Sequence, residues 1–150
     1  MFASITKLAL GLLDRLAQTA NSNPDEQPSE HLVIGQRGEE AAYFHLRSLG
    51  YVIVARNFRS PRHKGEIDLI GWDRDQLCFI EVKTRTSREL MPAEAAVDLP
   101  KQAMLRATAR AYLRKIKELP PLRFDVVSVY YESQDPQPDI ILFKNAFPVS

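Results

Sequence analysis

The chain is poor in the residue types that would commit it to a specialised class. Cys78 is its single cysteine, which excludes an intrachain disulfide and a cysteine-rich zinc site and makes a reducing compartment the plain expectation. His31, His45 and His63 stand at no zinc-ligand spacing with one another or with Cys78. The six glycines are scattered, so no phosphate-cradling glycine loop is present. Charge of neither sign is in excess: Lys+Arg 20 against Asp+Glu 19 leaves +1, which at first sight argues against a nucleic-acid partner. No apolar run reaches the ~20 residues of a membrane span. Asp14 and Arg15 break the N-terminal candidate, which fits a signal peptide's unbroken apolar region and small-residue cleavage site poorly, so a cytoplasmic protein is expected. What remains is 150 residues, 45% of them apolar, enough to bury a core without a disulfide or a metal.

Residues 1–20 carry Ile5, Leu8, Leu12, Leu13 and Leu16 at three- and four-residue spacing, which predicts an amphipathic helix for docking on the domain, a partner or, less favourably, a membrane. The polar, proline-bearing 21–30 reads as a linker, leaving 31–150 as the folded domain. Within it, Gly35 to Ser48 is helical by pattern with Gly50 as its stop, and 51–58, 66–72 and 76–84 read as strands. Asp98 to Glu118 predicts a long helix, halted by Pro120 and Pro121, and 123–131 and 139–144 are two further strands. A meander followed by a crossover helix makes an α/β (α+β) domain with a mixed sheet. Cys78, Trp72 and Tyr112 read as core. Asp125, in an apolar strand, belongs either to a site or to a structural hydrogen bond.

The chemistry concentrates on the hairpin 66–84. A tight turn at Arg74-Asp75 pairs residues whose numbers sum to 149, setting Trp72 opposite Leu77, Ile70 opposite Phe79, Asp68 opposite Glu81 and Glu66 opposite Lys83. Two carboxylates about 5 Å apart on a sheet repel unless they share a proton or hold a cation. Hard oxygen ligands suit Mg2+ or Mn2+, and a neighbouring lysine suits orientation of water or stabilisation of charge on a phosphate. The alternative is an ordinary surface salt-bridge cluster. Glu39 lies at the edge of the apolar stripe Ala42, Leu46 and Leu49, where it could support the carboxylates or serve only the helix dipole.

The stretches GEIDLI, FIEVKTR and RFDVV, with GQRGEEAAYFHLRSLGYVIVARNF before them, resemble the YraN family of nuclease-like proteins over about residues 34–147. GEIDLI followed by FIEVK also resembles the core of the PD-(D/E)xK nucleases, in their Holliday-junction resolvase-like branch. The resemblance implies a restriction-endonuclease-like αβββαβ core in which Asp68, Glu81 and the Val82 carbonyl hold a metal. Lys83 would be the catalytic lysine and Glu39 the first-helix acid. Ile67 stands where the superfamily's signature proline would be. Resolvase-like relatives act as dimers, so a homodimer is implied as well, though no interface is legible.

The near-neutral balance hides a division. Residues 56–64 carry four basic residues and no acid, and 99–117 carry six and no acid. Arg59, Arg62, Lys64, Arg85, Lys101, Arg106 and Arg110 are therefore candidate phosphate contacts, with DNA favoured over RNA because no RNA-binding signature appears. The first expectation is a metal-dependent nuclease acting on DNA, including branched or structured forms. The others are a non-catalytic nucleic-acid-binding module with the same fold and an adaptor that docks through residues 1–20. A pure binder would have no use for Asp68, Glu81 and Lys83 together.

Overall fold

The computed structural model describes residues 29–86, 97–132 and 136–150. The helix expected over 1–20 and the linker up to residue 28 lie outside the described residues. The described chain is α1 (Glu30–Ser48), β1 (Val52–Arg59), β2 (Glu66–Asp73), β3 (Gln76–Arg85), α2 (Leu99–Leu113), β4 (Leu122–Tyr130) and β5 (Asp139–Phe147). The five strands form one mixed sheet in sequence order, antiparallel throughout except for the parallel pair β3–β4 that α2 bridges. The expected meander, crossover and mixed sheet are all formed.

Local chemistry sets the element ends. α1 starts at Glu30, five residues before the expected Gly35, so Glu30 belongs to the helix and not to a linker. The Leu32 N–H bonds the Ser29 carbonyl at 2.9 Å, and Glu30 complements the positive end of the helix dipole. At the other end Gly50 adopts φ +94°, and the Tyr51 N–H reaches back to the Leu46 carbonyl at 3.0 Å. This Schellman arrangement delivers Tyr51 into the interior. α2 is capped by Asp98, whose carboxylate accepts from the Lys101 N–H at 2.9 Å, and Pro100 sits where no donor is needed. The helix ends at Leu113, five residues short of the expected Glu118. A turn from the Ile116 N–H to the Leu113 carbonyl follows and packs Ile116 against the core. β5 runs to Phe147, beyond the expected Lys144, because Phe147 stacks on Phe124 at 4.7 Å.

The sheet buries both faces. On the α2 side, Ile70, Leu77, Phe79, Leu105 and Phe124 form one core. On the α1 side, Ala42, Leu46, Cys78, Ile80 and Val127 form the other. Each large apolar side chain so buried contributes about 1.5–3 kcal/mol. Trp72 and Tyr112 pack as core residues, Tyr112 edge-on to Phe58 and Phe79 at 5.2 and 6.1 Å. Gly38 brings α1 onto β3, since a methyl group there would overlap the Thr84 side chain. Gly65 does the same for the loop after β1, where a methyl group would overlap Thr108 of α2. Among the described residues no helix is long and apolar enough to cross a membrane.

Candidate functional site

The β2–β3 register sums to 149 from Asp73↔Gln76 through Leu69↔Ile80, as the turn at Arg74-Asp75 dictates. There the regular ladder stops, one pair short of Asp68 and Glu81. Ile67 and Ile70 lie in the same core although three residues apart, so the alternation of β2 breaks between them. β1 breaks alongside: Asn57 takes φ +49°, and Ala55 and Phe58 both pack on the α2-side core. At this irregularity the Asp68 carboxylate replaces a strand carbonyl and accepts the Val82 N–H at 2.7 Å. Asp68 is therefore no simple cross-strand partner of Glu81. The regular ladder also stops short of the expected Glu66–Lys83 pair, and Arg59, in register with Glu66, donates to its carboxylate from Nε and Nη2 at 2.8 and 2.7 Å.

Glu81 continues the face of Leu77 and Phe79 and is 6% exposed. Its Oε1 meets two ammonium groups, Lys101 Nζ at 3.3 Å and Lys83 Nζ at 3.5 Å, while its buried Oε2 has no hydrogen-bond partner among the described residues. Ser128, in register with Lys83 on β4, is fully buried with its Oγ likewise unpartnered. Strand alternation from Phe124 and Val126 sets Ser128 on this same side of the sheet. Burial first, and then the Glu81 charge, push the Asp68 pKa up to about 8 against the pull of the Val82 N–H. Glu39 and Glu66 push it the same way, so the charge of Glu39 reaches this group. No set of three His, Cys, Asp or Glu side chains converges among the described residues; the centre is the pair Asp68 and Glu81.

A second polar cluster occupies the turn end of the hairpin, and it settles the role of Asp125. This fully buried carboxylate accepts from Arg123 Nε at 2.7 Å and Nη2 at 2.8 Å, the Tyr51 hydroxyl at 3.1 Å and the Asn145 N–H at 3.0 Å. Arg123 also bonds Asp73 at 2.8 Å and Gln76 at 2.6 Å, and Lys144 bonds Asp73 at 2.9 Å. The bonds from Lys144 and Arg123 hold the Asp73 carboxyl below its ordinary range. Burial, followed by the charge of Asp125, raises Tyr51 far above the usual phenol value and pushes the Cys78 thiol up to about 12. Asp125 is a structural residue here.

The candidate phosphate contacts are dispersed apart from Arg59 and Arg62, which line one cleft. Arg62, Lys64 and Arg110 are exposed, Arg85 is half-buried at the end of β3, and Arg59 is engaged by Glu66. Arg106 donates twice to the Pro148 carbonyl, at 2.9 and 2.8 Å, and lies over the Phe147 ring, which ties α2 to the C-terminal segment. Lys101 sits against Glu81 and so belongs to the carboxylate site. Its signal was available in the sequence, since it falls on the helical stripe of Leu105 and Ala109 that α2 turns to the core.

Comparison with known proteins places these residues in a wider group. The family model described as "Uncharacterised protein family UPF0102" matches residues 38–129, which span α1 from Gly38, both ends of the hairpin, α2 and most of β4. The chain is 53% identical over 145 residues to a UPF0102 protein of Koribacter versatilis, covering 97% of this chain and 96% of the relative. It is 41% identical over 139 residues to one from Solibacter usitatus, covering 92% and 99%. A third, from Symbiobacterium thermophilum, is 44% identical over 119 residues, covering 76% and 95%.

Proposed function

The chain belongs to the UPF0102 (YraN) family, and from that premise we propose that it is a metal-dependent nuclease with a restriction-endonuclease-like core, hydrolysing phosphodiesters in DNA. One observation carries the reading: the Asp68 carboxylate accepts the N–H of Val82, the residue after Glu81, and the buried Glu81 Oε2 has no hydrogen-bond partner among the described residues. That donor set fits a hard divalent cation, which one or two carboxylates commonly hold with water completing the shell. Asp68, Glu81 and the Val82 carbonyl would hold it, and bound Mg2+ or Mn2+ would supply Lewis-acid polarisation of the scissile phosphodiester.

The chain's own groups do the rest. The Val82 N–H orients Asp68. Lys101 and Lys83 both approach Glu81 Oε1, which leaves Oε2 for the ligand. Lys83, partly exposed near the end of β3, is the group that can orient the attacking water through a hydrogen bond or stabilise charge developing on the phosphate. Glu39, on the helix that Gly38 seats against β3, adds negative charge that favours a cation.

The test is cleavage of labelled duplex, flap and four-way-junction DNA in Mg2+ or Mn2+. Lys83→Ala and Asp68→Asn should each lower the rate at least about 100-fold, and Mn2+ should raise the melting temperature of the wild type but not of Asp68→Asn. Equal background cleavage by all three proteins would overturn the enzyme assignment.

A further inference from the structure

Beyond the carboxylates, the α2 side of the molecule holds a cleft of about 280 Å³ between the end of β1 and the C-terminal end of α2. Phe58 and Ala111 contribute apolar surface, and Arg62, Arg114 and Lys115 contribute positive charge beside Arg59, which Glu66 pairs. Among the described residues no acidic side chain lines it. Its walls are held in place. Ser60 is buried and its Oγ accepts the Arg62 N–H at 3.2 Å, Glu66 fixes Arg59, and Gly65 seats the end of the loop against Met104 and Thr108. A cleft near the lower end of the ~300–1,000 Å³ range of small-molecule sites suits a phosphate and its sugar better than a whole nucleotide cofactor.

The position of the cleft along α2 identifies the ligand class. Lys101, near the start of α2, meets Glu81; Met104 and Thr108 meet Gly65; Ala111 and Arg114 meet the cleft. From Lys101 to Arg114 a helix rises about 20 Å, which is roughly six base-pair steps of duplex. Arg110 is exposed one turn before Arg114. An isolated phosphate would need only the cleft, whereas a phosphodiester strand also accounts for Arg110, which shares the exposed helical stripe of Arg114 and extends the positive surface beyond the cleft. We propose that this cleft is an anchoring subsite for a nucleic-acid backbone phosphate about six steps from the carboxylate pair, an inference that rests on the nuclease reading for what happens at the other end.

The experiment measures binding of a labelled 20-bp DNA duplex to the full chain by fluorescence anisotropy, without divalent cations and across a salt series. The variant Arg62→Ala/Arg114→Ala/Lys115→Ala should bind at least 10-fold more weakly and show a salt slope shallower by two to three. Ala111→Glu, which puts a carboxylate in the cleft while keeping every cation, should also weaken binding at least 10-fold, with thermal melting reporting that both variants are folded. Affinity and slope equal to the wild type in both folded variants would overturn the subsite and leave the nuclease reading standing. Loss of binding in the variants of a wild type that cleaves nothing in Mn2+ would overturn the nuclease reading and leave the subsite. A wild type that binds no duplex would overturn the subsite.

Discussion

The two ends of the β2–β3 hairpin carry the same charged inventory and treat it in opposite ways. At the turn end, Asp73 and Asp125 face Arg123 and Lys144, and Arg123 bridges both carboxylates. At the open end, Asp68 and Glu81 face Lys83 and Lys101, but both ammonium groups crowd one oxygen of Glu81 and neither is paired with Asp68. The consequence is visible in the acids: Asp73 is held low and Asp68 is driven high. Buried charge becomes structural when a cation is shared between its carboxylates. Where the cations bind one partner only, the remaining charge is left for something that the protein does not itself supply.

The sharpest way to break the comparison is Asp125→Ala. It leaves Arg123, Tyr51 and the Asn145 N–H without their shared acceptor, and chemical denaturation should show a loss of about 3–5 kcal/mol. The corresponding change at the open end should act in reverse. Asp68→Asn removes a poorly compensated charge while the amide oxygen can still accept the Val82 N–H, so the metal-free variant should gain roughly 1–3 kcal/mol at pH 8. A destabilised Asp68→Asn protein would show that the open end is as well matched as the turn end.

The pH dependence should separate the ends further. Asp68 titrates near 8 when folded and near 4 when unfolded, so the folded state holds its proton more tightly. Its contribution to metal-free stability is therefore greatest below about pH 4 and is lost as pH rises to about 8. For Asp73 the folded value lies below the unfolded one, so its contribution is present above about pH 4 and is lost as pH falls through the depressed folded value. Melting temperatures should part from the wild type in opposite directions at pH 8, higher for Asp68→Asn and lower for Asp73→Asn, and both differences should shrink as pH falls below about 4. The smallest expected effect concerns Cys78, fully buried with its thiol pushed up to about 12. A thiol reagent at pH 8 should label it only at the rate of unfolding, and rapid labelling of native protein would show the core around the turn end to be open.

Much of the frame was legible because its causes are local. The two-residue turn and the alternation of Leu77 to Val82 set the hairpin register and buried Cys78, Asp98 and Pro100 marked the start of α2, and Gly50 marked the stop of α1. The residue types of the site were legible too: Asp68, Glu81 and Lys83 come together at the open end. Their geometry was not. The break at Asp68 needs β1 and β2 to lose alternation together, at Asn57 and between Ile67 and Ile70, which no single strand's pattern announces. Lys101 reaches Glu81 from another element, and Tyr51 meets Asp125 across 74 residues of chain. Periodicity and capping act over a few residues, so the sequence by itself determined the order of the elements, the hairpin register near its turn and which acids share that hairpin. Which charge meets which counter-charge depends on how helices and strands pack across the sheet, and only the tertiary structure decided that one end would be closed and the other left open.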